Sequence, residues 1–267
     1  MTPTPTINVL IQIAQQAGCL IMQIYNQPSF DVTNKADESP LTAADLASHH
    51  YIVEALQKAY PSIPILSEES DKEVAYAIRK NWTQFFLVDP LDGTKEFLQR
   101  NGEFTVNIAF MEKNTPRIGV IHAPALDVTY YAEKNKGAYK INKNNIMLLP
   151  HKAAHSHSVR IAVSRSHLCQ DTQNFIENAK KNNAMVEEIP IGSALKFGLI
   201  AEGSADIYPR FSPTMEWDTA AGQIIVTEAG KAMIVIETGE PLLYNKNSLR
   251  NPGFFCSLTK RIPTKSL

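Results

Sequence analysis

Hydrophobic positions recur along this chain in two rhythms, and each change of rhythm marks an element. Ile7, Leu10, Ile11, Ala14, Ala17, Ile21 and Ile24 fall at helical spacing, so an amphipathic helix is expected over residues 7–26. A second helix is expected over 42–59, with Thr42 placed to cap it and Leu46, Val53 and Leu56 on one face. Apolar runs bounded by turn residues predict strands at 63–67 and 84–88, then a meander at 104–113, 117–123, 128–133 and 137–142. Residues 143–158, rich in Asn, Lys and His, read as a surface link. Strand and helix then alternate: strands at 159–164, 185–189, 205–211 and 232–237, helices at 170–182, 193–202 and 218–229. The first half (1–150) therefore reads as an α+β subdomain on a largely antiparallel sheet, and the second (151–267) as an α/β subdomain.

Composition narrows the function. The 267 residues are 44% hydrophobic and 20% charged, with a net charge of -1. That balance gives no field for gathering nucleic acid. The apolar stretches are interrupted by polar residues and are expected to fall short of the ~20 residues that span a bilayer. The N-terminus lacks the basic start of a signal peptide. Cys19, Cys169 and Cys256 are scattered, with no CxxC pair, and are expected to be reduced core residues of a cytoplasmic protein.

The candidate chemistry lies in carboxylates at the ends of apolar segments. Glu68 follows the strand-like Ile65-Leu66-Ser67, Asp89 and Asp92 belong to Asp89-Pro90-Leu91-Asp92-Gly93-Thr94, and Asp218 stands at an expected helix start. Pro90 fixes φ and has no donor, so a turn is expected directly after Asp89, bringing Asp89, Asp92 and the Leu91 carbonyl together. Such carboxylates repel one another unless a cation neutralises them, and hard divalent cations prefer oxygen ligands. Gly93 lets the backbone approach a ligand closely, and N–H groups at Gly93-Thr94 suit a phosphate. The four acids come from both halves, which places the site in a cleft between them. Plainer roles compete: Thr42-Ala43-Ala44-Asp45 fits a capping box as well as a general base, and Asp218 fits a helix dipole. Haloacid dehalogenase-type phosphatases are excluded, because Pro90 occupies the position of their nucleophilic Asp. No Walker-type loop is present, which argues against a kinase or ATPase. His151, His155 and His157 read as solvated loop histidines.

Ser67-Glu68-Glu69-Ser70, Asp89–Thr94 and Trp217-Asp218-Thr219-Ala220-Ala221-Gly222 resemble the signature segments of the inositol monophosphatase family. Lys95-Glu96-Phe97, Arg100–Ala109, Ser164–His167, Gly192–Phe197, Tyr208–Phe211 and Asn251–Phe254 resemble its CysQ-type 3′(2′),5′-bisphosphate nucleotidase branch. The resemblance spans residues 7–258 and implies a layered αβαβα sandwich of the inositol monophosphatase and fructose-1,6-bisphosphatase superfamily. It implies a cytoplasmic phosphatase, in some relatives held at the inner face of a membrane. It also implies hydrolysis of adenosine 3′,5′-bisphosphate (PAP) to AMP, and of PAPS to APS, in sulfur assimilation.

By the same resemblance Glu68, Asp89, the Leu91 carbonyl, Asp92 and Asp218 would hold two or three Mg2+ ions and face the substrate. Thr94 and Asp45 would activate water, and the N–H groups of Gly93 and Thr94 would hold the scissile phosphate. His167, Ser193, Lys196 and Arg210 would grip the second phosphate and the nucleoside. Gly192-Ser193-Ala194 stands where the family leads one to expect Gly-Ser-Ser, removing one hydroxyl. A sibling phosphatase acting on inositol or sugar phosphates, and a non-catalytic metal-dependent nucleotide sensor, remain as alternatives.

Overall fold

Helix α1 (Ile7–Tyr25) buries the face its spacing predicts, with Leu10, Ile11, Ala14, Ala17 and Ile21 all in the interior. It belongs to a computed structural model that describes residues 3–28, 32–34, 40–70, 74–151, 158–166, 168–182 and 185–257. Strands β1 (Val32–Asn34) and β2 (Pro40–Thr42) pair with each other ahead of helix α2 (Ala43–Ala59). A seven-stranded sheet follows in sequential order: β3 (Ile65–Ser67), β4 (Gln84–Asp92), β5 (Thr105–Glu112), β6 (Thr115–Ala123), β7 (Val128–Glu133), β8 (Ala138–Asn142) and β9 (Asn145–Leu148). Only β3 and β4 run parallel in it. Short helices α3 (Tyr76–Arg79) and α4 (Thr94–Leu98) flank β4.

The second sheet contains β10 (Val159–Ser164), β11 (Val186–Ile191), β12 (Ile207–Arg210), β13 (Ala232–Val235) and β14 (Phe254–Ser257), in the order β11-β10-β12-β14-β13. Helices α5 (Gln170–Lys181), α6 (Leu195–Glu202) and α7 (Glu216–Glu228) connect its strands. Contacts stack these parts in five layers. Helices α1 and α2 cover one face of the large sheet, α6 and α7 lie between the two sheets, and α5 covers the outer side of the small one. The alternation of apolar faces along the chain is satisfied by this αβαβα sandwich.

Several sequence expectations are corrected. By length and composition the 19-residue α1 is apolar enough to cross a membrane, contrary to the reading of its stretch; it packs instead on α2, β5 and β6 as a core helix. Residues 145–148, read as link, form β9 because an Asn142–Asn145 turn folds them back on β8. Strand β14 was not anticipated: its four residues are too few to show a period, and its partners β12 and β13 are distant in sequence. Helix α2 buries Ala44, Asp45, Ser48, Ile52 and Leu56, while Leu46 of the expected face is exposed. Two polar residues displace the apolar stripe because both bond inward, as described below. Of the cysteines only Cys256 is buried; Cys19 is exposed and Cys169 half-buried, and all three are free.

Candidate active site

Strand β4 carries the centre of the site. The expected turn after Asp89 does not occur; the strand continues through Pro90 to Asp92 and absorbs an extra residue as a bulge against β5. A proline has no N–H to offer the ladder, so a bulge is where a strand tolerates one. Asp89 pairs with Asn107 and Asp92 with Thr105, so the two acids reach the same side of the sheet. Asp89 Oδ1 accepts from the Leu91 N–H at 3.2 Å, and Ser48 Oγ of α2 donates to the Pro90 carbonyl at 2.7 Å. Glu68 leaves the end of the parallel neighbour β3, with its N–H bonded to the Val88 carbonyl at 3.1 Å.

Asp218 arrives from the other half, in the first turn of α7. One oxygen from each of Glu68, Asp89 and Asp218 lies within 4.8 Å of the other two. That spacing is close to the ~4–5 Å between ligands on opposite sides of a cation bound at ~2.0–2.6 Å. Asp92 lies in the same cleft but outside this group of three; its Oδ2 accepts from Asn107 Nδ2 at 3.4 Å. Desolvation in the cleft pushes the Asp92 carboxyl up to about 6, with Glu68 and Glu96 adding repulsion and Lys196 opposing it. Desolvation also raises Asp218 well above the usual carboxylate range, helped by Asp92 and Glu68. Converging carboxylates that resist ionisation, with an all-oxygen donor set, fit a hard divalent cation.

Asp45 closes the cap that its spacing allowed and also meets Thr94. Its Oδ2 accepts from the Thr42 N–H at 2.9 Å, closing the capping box of α2, while its Oδ1 accepts from Thr94 Oγ1 at 3.2 Å. Asp218 repeats half of the pattern, its Oδ2 accepting from the Met215 N–H at 2.8 Å. Gly93, between the acids and Thr94, has φ +93°, which favours glycine, and a Cβ there would lie 3.1 Å from Ser193 Cβ.

A cleft of about 420 Å3 joins these residues to the second half of the chain. Ser193, Lys196 and Arg210 line it together with Glu68, Asp92 and Thr94. Lys196 is buried, and its Nζ donates to the Ser193 carbonyl at 2.6 Å. Burial lowers its pKa to about 8, with Arg210 pushing the same way and Asp92 resisting. Arg210 donates to Ser164 Oγ at 2.7 Å, while its Nε and Ser193 Oγ are buried without a hydrogen-bond partner among the described residues. His167, His155 and His157 lie outside the described residues. His151 is exposed, as expected, with Nε2 4.0 Å from Glu202 Oε2.

Sequence reasoning gave no role to Glu96, Glu103 or Arg165. Glu96 is buried in the cleft wall and accepts from Ser166 Oγ at 2.6 Å. Glu103 accepts both Arg165 Nε at 2.7 Å and the Gly192 N–H at 2.7 Å. The available signal was their place in Lys95–Phe97, Arg100–Ala109 and Ser164–His167, segments that the resemblance marks without giving these charges a role. Glu216 also had no role; it is fully buried and accepts from the Asn245 and Lys246 N–H groups at 2.6 and 3.0 Å.

A five-layer sandwich with a carboxylate-lined cleft between its halves assigns the class. The chain belongs to the inositol monophosphatase family, a metal-dependent family whose model matches residues 2–262. It is 43% identical over 249 residues to the 3′(2′),5′-bisphosphate nucleotidase CysQ of Shigella flexneri, covering 92% of this chain and 97% of the relative. The Salmonella typhimurium CysQ is 44% identical over 245 residues, covering 91% and 96%. Among solved structures, CysQ from Bacteroides thetaiotaomicron superposes with a TM-score of 0.86 at 42% identity, covering 96% of this chain and 98% of that one. The IMPase of Thermotoga maritima gives 0.75 at 26% identity, covering 94% and 91%.

Proposed function

We propose that this chain is a magnesium-dependent 3′(2′),5′-bisphosphate nucleotidase that converts adenosine 3′,5′-bisphosphate to AMP and phosphate in sulfur assimilation. The observation that carries the reading is one cleft lined both by carboxylates, two of which converge with Asp89 on one point, and by the cations Lys196 and Arg210. A substrate with two phosphates needs both: acids for a cation at the scissile phosphate, and fixed cations for the phosphate that metal does not reach. The similarity to CysQ nucleotidases supports the same substrate, with PAPS as a second one.

Glu68, Asp89, the Leu91 carbonyl, Asp92 and Asp218 would hold two or three Mg2+ ions, contributed mostly by residues 1–150. Bound Mg2+ supplies a more acidic water and charge neutralisation at phosphorus. The protein's own part is proton handling and orientation. Thr94 Oγ1, with its proton committed to Asp45 Oδ1, presents lone pairs to a water and aims it. The water's proton passes to Thr94 Oγ1 as the Thr94 proton passes to Asp45. The N–H groups of Gly93 and Thr94 hold the scissile phosphate, and Ser193, Lys196 and Arg210 hold the nucleotide end. In-line attack by water leaves no phosphoenzyme and inverts phosphorus.

The location we propose is cytoplasmic. Because the apolar face of α1 is engaged in the core, the reading of peripheral membrane attachment is not carried forward. The deciding measurement is phosphate release from adenosine 3′,5′-bisphosphate and inositol 1-phosphate in parallel, with Mg2+ and with EDTA. EDTA-sensitive release from the bisphosphate supports the assignment. Preference for inositol phosphate would keep the metal chemistry and remove the nucleotide reading, and no release from either would favour a binding module.

A further inference from the structure

The two halves of the cleft are clasped at its rim by one carboxylate. Glu103 lies between α4 and β5 on the large-sheet side, and the partners of its carboxylate, Arg165 and Gly192, lie on the other. Arg165 Nε donates to Glu103 Oε2 at 2.7 Å and Arg165 Nη2 to Oε1 at 2.6 Å, a two-pronged pair. The Gly192 N–H donates to Oε2 at 2.7 Å. Arg165 ties the same loop a second time, its Nη2 donating to the Pro190 carbonyl at 2.7 Å and its N–H to the Ile191 carbonyl at 3.3 Å. Residues 190–192 are thus held from two directions by a single ion pair.

What that backbone carries is the cationic part of the cleft. Lys196 Nζ donates to the carbonyls of Ser193 at 2.6 Å and Ile191 at 3.3 Å, so the ammonium is placed by the loop that Glu103 holds. Ser193 adopts φ +47°, a region a non-glycine residue seldom occupies unless its surroundings impose it. There is no slack at the joint: a Cβ on Gly192 would lie 2.6 Å from Glu96 Cγ and 2.7 Å from the Glu103 carbonyl.

We propose that Glu103, through Arg165 and Gly192, is a positioning residue that sets Ser193 and Lys196 for the second phosphate of the substrate. It touches neither the reacting phosphate nor the carboxylate cluster, so its effect falls on nucleotide grip and not on the chemical step. The inference rests on the nucleotidase reading above.

The test is steady-state kinetics of the full chain on adenosine 3′,5′-bisphosphate at saturating Mg2+, with a parallel Mg2+ titration, for Glu103→Ala, Glu103→Gln and Arg165→Gln. The expected result is a KM raised about tenfold or more in Glu103→Ala, equivalent to ~1.4 kcal/mol of lost grip, with kcat and the Mg2+ concentration for half activity little changed. Glu103→Gln keeps an acceptor for Gly192 but not the charge for Arg165, and falls between. A loss of kcat or of Mg2+ affinity with KM unchanged overturns the inference, as does wild-type behaviour throughout. Should Glu103→Ala fail to fold by thermal melting, Arg165→Gln, at an exposed position, decides by the same readouts. A wild-type chain without turnover on the bisphosphate defeats the nucleotidase reading and this inference with it, whereas an unchanged KM in active variants defeats the clasp alone.

Discussion

Asp89 and Asp92 are three residues apart on β4, yet they face Asn107 and Thr105, which are two apart on β5. In a regular strand residues three apart point to opposite faces. The bulge removes that one-residue mismatch and sets both acids on one side. Converting either to its amide should therefore remove a cation ligand without disturbing the ladder. Asp89→Asn is expected to lower kcat/KM by more than the ~10–100-fold cost of losing an outer-shell partner of a metal. Isothermal titration with Mg2+ and a phosphate-release assay check this together; near-normal Mg2+ binding would contradict the proposed ligand set.

The divided role of Asp45 separates two variants. Thr94→Val keeps the shape and loses only the hydroxyl, so kcat should fall by about 10²–10⁴ while the melting temperature holds. Asp45→Asn should lower kcat and also weaken the cap of α2, at a cost of about 1 kcal/mol. Paired kinetics and melting curves distinguish them, and a Thr94→Val enzyme of full kcat would remove Thr94 from the mechanism.

Acidity and metal binding should oppose each other. Asp92, at about 6 in the metal-free cleft, and Asp218, also raised, hold protons more readily folded than unfolded. The metal-free protein should therefore gain stability as the pH falls from neutrality through about 6, and lose it on the way back up. A cation needs the same groups ionised, so the melting shift produced by Mg2+ should shrink over that interval. Melting curves at pH 5.5 and 7.5, with and without Mg2+, read both trends; a Mg2+ shift independent of pH would rule out coupling through these acids.

Lys196 predicts the alkaline limb. With its pKa lowered to about 8, its charge is lost as the pH rises through that value, and the hold on a second phosphate goes with it. The KM for adenosine 3′,5′-bisphosphate should climb above about pH 8 in the wild type. In Lys196→Met it should be high and flat over the same range. A wild-type KM that stays flat to pH 9 would mean that the ammonium does not meet the phosphate.

What could be read from the sequence, and what could not, divides by distance along the chain. The carboxylates of Asp89–Thr94 were legible because proline, glycine and acid stand within six residues. The αβαβα layering followed from the resemblance, and the helices α1 and α2 from their spacing. The approach of Asp45 to Thr94 followed from the resemblance alone, and the inward turn of Ser48 was not legible, because Thr94 and Pro90 lie more than forty positions from their partners. The Glu103 clasp reaches 62 residues to Arg165 and 89 to Gly192, beyond any local pattern. Bulge and strand β14 were missed for the same reason: pairing partners, not composition, define them.

Asp218 stands on a helix laid between the sheets, while Glu68 follows β3 and Asp89 lies on β4 of the larger one. A cation taken up by all three is consequently a rivet through the layers as well as a reagent. The free energy of its binding is shared between holding the molecule closed and preparing a phosphate for attack. In such an enzyme the closure of the cleft and the readiness of a phosphate for attack would answer to the occupancy of one point.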